Sequence, residues 1–154
     1  MSYHASSMCA AVSGSSVLRP RYAGVEPELT MGPSPPAWLD VVGAELERFS
    51  SFDENWDSYG APRIDVTLIR DVVDVLPDIV PSDAPRPAIS LTGRGGIQLE
   101  WRVSATDIEL EFLPTRSAEL LVVTHEEEEE AAFDLINIAP LRRKLDGYLR
   151  GLGR

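Results

Sequence analysis

Cysteine is nearly missing from this chain: Cys9 is the one thiol in 154 residues. A single thiol cannot close an intramolecular disulfide or build a Cys-based zinc site, and it suits a reducing compartment. Histidine is almost as scarce, with only His4 and His125. No apolar run approaches the ~18 residues that cross a bilayer. The stretch from Met1 to Leu18 lacks the basic start and sustained apolar segment of a signal peptide. Positive charge is the scarce sign: 14 Lys and Arg stand against 25 Asp and Glu, a formal net charge of −11. That balance argues against direct contact with nucleic-acid phosphates or an anionic membrane, which need clustered Lys and Arg. It leaves a basic protein partner open. The expectation is a soluble, cytoplasmic protein of bacterial type.

Catalytic motifs are missing as well. There is no G-x-S-x-G elbow, and Cys9 has no base fixed beside it. Gly93-Arg94-Gly95-Gly96 lacks the Lys-Ser/Thr and the following helix of a phosphate loop, so it reads as a hairpin turn. The chain therefore reads as a non-enzymatic protein, with no cofactor and no metal site expected.

What is present is ordinary globular material, 44% hydrophobic and 25% charged. Residues 1–33, rich in Ser, Ala, Gly and Pro, show no period and read as a disordered tail. Met8 and Met31 are alternative starts to Met1. Residues 34–154 read as a single α+β domain of about 120 residues, enough for one core.

The first helix is expected over 35–49, with Ser34 as N-cap, Pro35 at its first position, and Leu39, Val42, Leu46 and Phe49 as its stripe. The second is expected over 66–76. Asp65 caps it, Ile64 and Ile69 form a staple, Val66, Ile69, Val73 and Leu76 point inward, and Pro77 ends it. A Pro-rich connector then runs from Pro77 to Pro87.

Beyond it the period becomes two. Ile89–Thr92, Ile97–Val103, Ile108–Phe112 and Leu120–Val123 read as strands of an antiparallel meander, with one apolar and one polar face. His125 to Glu130 reads as a solvated charge run, and 126–138 is either loop or an edge strand. Pro140 opens a last helix with Leu141, Leu145, Tyr148, Leu149 and Leu152 on one side, closed by Gly151. The fold class is α+β: a four-stranded antiparallel meander over about 88–123, with two N-terminal helices and one C-terminal helix packed on one face.

Two constellations are candidates for contact with a partner or ligand. The first is the loop from Ser51 to Pro62, where Asn55, Asp57 and Tyr59 could line a pocket walled by Trp56. Turn chemistry explains the same residues: Asn55 and Asp57 satisfying loop amides, Trp56 and Tyr59 anchoring the loop on the core. The second is the polar sheet face. A turn over 104–107 places Arg102 opposite Glu109 and Glu100 opposite Glu111. The latter like-charged pair costs a few tenths to about 1 kcal/mol. Arg142, Arg143 and Lys144 sit where the helix dipole disfavours them, which points to an acidic neighbour or partner, or to a placement tolerated without consequence.

The strings Asn55-Trp56-Asp57-Ser58-Tyr59-Gly60-Ala61-Pro62, Gly95-Gly96-Ile97-Gln98-Leu99-Glu100-Trp101 and Ile108-Glu109-Leu110-Glu111-Phe112 resemble a family of small uncharacterised bacterial and mobile-element proteins. The resemblance spans roughly residues 45–123 and implies a shared fold without adding chemistry. By that analogy a partner is expected among the products of neighbouring genes, as for accessory or inhibitor-like subunits.

The leading expectation is a non-enzymatic protein-interaction module that uses Asn55, Trp56, Asp57, Tyr59, Glu100, Arg102, Glu109 and Glu111. One alternative is a hydrolase or small-ligand binder built on Asp57, Tyr59, Glu100 and Glu111. Another is an acidic mimic of nucleic acid, carried by Glu126–Glu130 and Asp134.

Overall fold

The computed structural model describes residues 36–150. The expected tail over 1–33, Ser34, Pro35, Gly151 and Leu152 lie outside them. The chain order is α1 (Leu39–Ser50), α2 (Val66–Ile79), β1 (Ala88–Leu91), β2 (Ile97–Val103), β3 (Thr106–Leu113), β4 (Ser117–Val123), β5 (Glu128–Asp134) and α3 (Ala139–Leu149). The sheet is therefore five-stranded rather than four-stranded. It is an antiparallel meander in the order β1-β2-β3-β4-β5.

The fifth strand corrects the reading of His125–Glu130 as a solvated run. Its side chains alternate between exposed and half-buried. Glu128 and Glu130 project to the wet face, whereas Glu129 lies opposite buried Val122 on the core side. Lys144 and Tyr148 of α3 both donate to the Glu129 carboxylate. This is the acidic neighbour expected for the α3 cations, although it serves only one of the three. The contacts hold Glu129 below the usual carboxylate range, Lys144 first and Tyr148 second. The same contact to Glu129, with burial, raises the Tyr148 phenol.

Alternation in β2, β3 and β4 sends Ile97, Leu99, Trp101, Ile108, Leu110, Phe112, Leu120 and Val122 inward. All three helices meet them in one core: Val42, Leu46 and Phe49 from α1, Leu68, Val72, Leu76 and Ile79 from α2, and Leu141, Leu145 and Leu149 from α3. The stripe of α2 differs from the expected one, since Val66 and Val73 are exposed at 56% and 38%. Two phases fit the helical period here. The helix continues through Pro77 to Ile79, and the added turn favours the phase that buries Ile79. Pro77 removes only the bond that the carbonyl of Val73 would accept, on the exposed side. Asp65 caps α2 by accepting from the Thr67 amide at 2.8 Å. α1 begins at Leu39 instead of 35, behind Trp38, which makes no side-chain cap.

Two tryptophans pin the Pro-rich connector to this core. Trp38 Nε1 donates to the Ala84 carbonyl and Trp101 Nε1 to the Pro85 carbonyl, both at 2.9 Å. Buried indoles usually find such a partner.

The β2–β3 hairpin corrects the register. Trp101 faces Ile108, Arg102 faces Asp107, and Glu100 faces Glu109 instead of Glu111. The turn is only Ser104-Ala105, because Ser104 accepts a φ of 56°, the sign a two-residue hairpin loop requires. The two-residue slip preserves parity, so every side chain keeps its expected face.

Candidate functional site

All three helices lie on one side of the sheet, and its other side carries the polar residues in cross-strand rows. One row reads Gln98, Glu111, Glu119, Ala132; the next Glu100, Glu109, Leu121, Glu130; the third Arg102, Asp107, Val123, Glu128. Like charges directly opposite one another repel, and the face handles each pair differently.

For Glu111 and Glu119 the solution is a shared cation. Arg94, from the β1–β2 turn, donates through Nη2 to Glu111 Oε2 and to Glu119 Oε2, the latter at 2.8 Å. The other Glu111 oxygen accepts from Thr92 Oγ1 at 2.6 Å, and that hydroxyl accepts from the Gly96 amide at 3.0 Å. The carboxylates raise the Arg94 pKa above its ordinary value, Glu111 contributing most.

For Glu100 and Glu109 the intermediary is neutral. Gln98 Nε2 donates to Glu100 Oε1 at 2.9 Å and to Glu109 Oε2 at 3.2 Å. The amide spaces the carboxylates without cancelling their charge. Arg102 is taken up by Asp107 at 2.6 Å, which raises the Arg102 pKa. Among the described residues, Glu100, Glu109, Glu128 and Glu130 make no ion pair. An open trough of about 500 Å³ lies over this face, lined by Arg94, Gln98, Glu109, Glu111, Glu119, Leu121 and Glu130 among others.

The aromatic loop sits beside the β1–β2 turn. A Cβ built on Gly93 would lie 3.8 Å from Asp57 Oδ2, and one on Gly95 only 2.9 Å from Pro62 Cγ. Inside the loop Asp57 Oδ1 accepts from the Tyr59 amide at 2.8 Å and the Ala61 amide at 3.0 Å, and Asn55 Oδ1 accepts from the Gly60 amide at 2.7 Å. Those amides, Tyr59's first, hold the Asp57 carboxyl below its ordinary pKa. Asn55, Ser58 and Gly60 take positive φ to complete the turn. Phe52 packs edge-on against Phe49 at 5.7 Å, and half-buried Trp56 lies 6.1 Å from Phe52. Tyr59 is not an anchor: it is 94% exposed, because the turn closed by Asn55 and Asp57 carries it outward at its tip.

The structure thus gathers Glu100, Arg102, Glu109 and Glu111 on one face and Asn55, Trp56, Asp57 and Tyr59 in one loop beside it. The trough residues do not include Asp57, Tyr59 or Glu100. Sequence reasoning missed Arg94, Gln98 and Glu119, and offered Glu130 only within the Glu126–Glu130 run of the nucleic-acid mimic. Gln98 and Glu130 share the outward parity of their strands, which is a usable signal. Arg94 lies in a turn, and no period reports where its side chain goes. Among the described residues no group of three or more His, Cys, Asp or Glu is placed to hold a metal ion, and no buried side-chain polar atom lacks a partner. No protein-family model, curated protein or solved structure matches the chain.

Proposed function

We propose that this chain is a small non-enzymatic protein-interaction module, an accessory or inhibitor-like subunit, whose acidic open sheet face docks on a basic surface of another protein. One observation carries the reading: the sheet face opposite the helices presents Glu100, Glu109 and Glu130 in one row, with Leu121 between the last two, and none of the three is in an ion pair among the described residues. Negative charge concentrated on a solvated face steers a positively charged partner and discourages acidic ones. Tyr59, exposed at the tip of the adjoining loop, is the residue type that anchors interfaces. A neighbouring gene is a natural source of the partner.

The hydrolase reading has less support, since Asp57 spends one oxygen on two loop amides and its three companions do not share a hollow with it. In the nucleic-acid mimic, Leu121 interrupts the acidic row and Glu129 turns to the core.

Capture from native cell extract tests the proposal. The full chain should retain a stoichiometric partner, and so should the helix-side control Asp74→Lys. The double variant Glu100→Lys/Glu109→Lys should lose it. Equal capture by all three proteins, or no partner at native abundance, would refute the reading.

A further inference from the structure

The sheet has two edges, and they differ. β1 is four residues long, follows Pro87 directly and contacts α1. β5 is seven residues long, contains no proline and is paired only on its β4 side among the described residues. Its ladder opens with the Thr124 amide on the Glu127 carbonyl at 2.8 Å and closes with the Leu135 amide on the Arg116 carbonyl at 3.0 Å. Hydrogen-bonded pairs alternate in antiparallel sheets, so residues 127, 129, 131, 133 and 135 bond to β4. Glu128, Glu130 and Ala132 consequently direct their main-chain N–H and C=O groups away from the sheet.

Natural proteins blunt such edges because free strands template association. Here the device is a single sign of charge. Antiparallel pairing with a second copy about Ala132 sets Glu130 against Asp134, and pairing about Glu130 sets that residue against itself. Both are repulsive. The edge therefore rejects its own kind while leaving its hydrogen-bonding groups free. On the inner side Glu129 is already ion-paired with Lys144 and accepts from Tyr148, so the outer side chains, Glu128 and Glu130 with Asp134 at the end of the strand, address an incoming strand.

We infer that β5 is a docking edge for an extended basic segment of a protein partner, added as a sixth strand with Lys or Arg at alternate positions opposite Glu128 and Glu130. Main-chain bonds supply affinity in strand addition and alternate side chains supply selectivity. The inference rests on the reading above for the existence of a protein partner and specifies the conformation in which that partner binds.

The test uses the full chain and two synthetic peptides of equal charge and about ten residues, one alternating lysine with valine, the other lysine with proline. The lysine–valine peptide should slow amide hydrogen exchange at Glu128, Glu130 and Ala132. The lysine–proline peptide, which lacks half of its N–H groups, should bind more weakly by about tenfold or more. Ala132→Pro removes one outward N–H and leaves the β4 ladder intact. Glu128→Lys/Glu130→Lys keeps the edge and reverses its charge. Each variant should weaken the lysine–valine peptide by about tenfold or more. Equal affinity for both peptides, unchanged exchange at the three amides, or undiminished binding by the charge-reversed variant would overturn the inference. A partner that crosslinks to the open face while the edge stays inert would sink this inference alone. An edge that binds the peptide in a protein whose open face captures nothing would sink the open-face reading alone.

Discussion

Pro62 and Gly95 touch so closely that a Cβ on the glycine would lie 2.9 Å from Pro62 Cγ, and Gly95 itself holds a φ of +77°. The contact joins the end of the aromatic loop to the turn that carries Arg94, so it fixes where the loop stands relative to the open face. Gly95→Ala should lose about 1–3 kcal/mol of stability from backbone strain and overlap. Gly93→Ala meets only ordinary contact with Asp57 at 3.8 Å and should lose less than about 0.5 kcal/mol. Urea denaturation of the two variants checks the difference.

Arg94 should matter chiefly through the charges it separates. Arg94→Ala leaves Glu111 and Glu119 facing each other without their common donor. Its stability should fall most at low ionic strength, and the deficit should shrink as salt screens the repulsion. In a Glu111→Gln/Glu119→Gln background the same substitution should have little effect. Denaturant midpoints at low and high salt for the double-mutant cycle report the coupling.

Asp57 gives the aromatic loop an acid limit. Its folded pKa is depressed below the ordinary 3.8 by the amides of Tyr59 and Ala61. A depressed carboxylate stabilises the fold fully above its unfolded pKa, and the contribution fades as pH falls through the lower folded value. The stability gap between the native chain and Asp57→Asn should therefore hold steady above about pH 5 and narrow below about pH 4. Unfolding curves from neutral to acid pH measure it. A gap that stays constant through the acid range would show that the carboxylate charge contributes nothing.

The Pro-rich connector hangs on two indoles. Trp38→Phe strands the buried carbonyl of Ala84, its partner at 2.9 Å, and should cost about 1–3 kcal/mol. Trp101→Phe should cost less, because the part-buried carbonyl of exposed Pro85 can turn to water when the indole N–H is lost. Hydrogen exchange at the Ala84 amide, which donates to the Pro81 carbonyl at 3.0 Å, should quicken in both.

The sequence carried more of this architecture than of its charge geometry. Alternation from Ile97 to Phe112 reveals which side chains are inward, because a two-residue slip leaves parity untouched; it cannot reveal register, which Ser104 decides by adopting a φ that Gly or Asn more commonly takes. β5 hides inside a run of glutamates, since acids weaken the strand signal, and Glu129 gives away its inward course only once Lys144 and Tyr148 are seen beside it. The expected stripe of α2 takes the phase of Val66 and Val73 because it ends the helix at Pro77; the helix runs on to Ile79 and buries the other phase, Leu68, Val72, Leu76 and Ile79. The bridging roles of Arg94 and Gln98 depend on side-chain reach across strands, which hydrophobic pattern does not record.

The open face is tested most directly by placing a photo-crosslinking residue at Gln98, amid the outward glutamates, and in a second protein at Asp74 on the exposed side of α2. Irradiation in native cells should join the Gln98 protein to one partner, at a site rich in Lys and Arg, and leave the Asp74 protein uncoupled. Coupling through Asp74 with none through Gln98 would contradict the assignment of the bare sheet face as the docking surface.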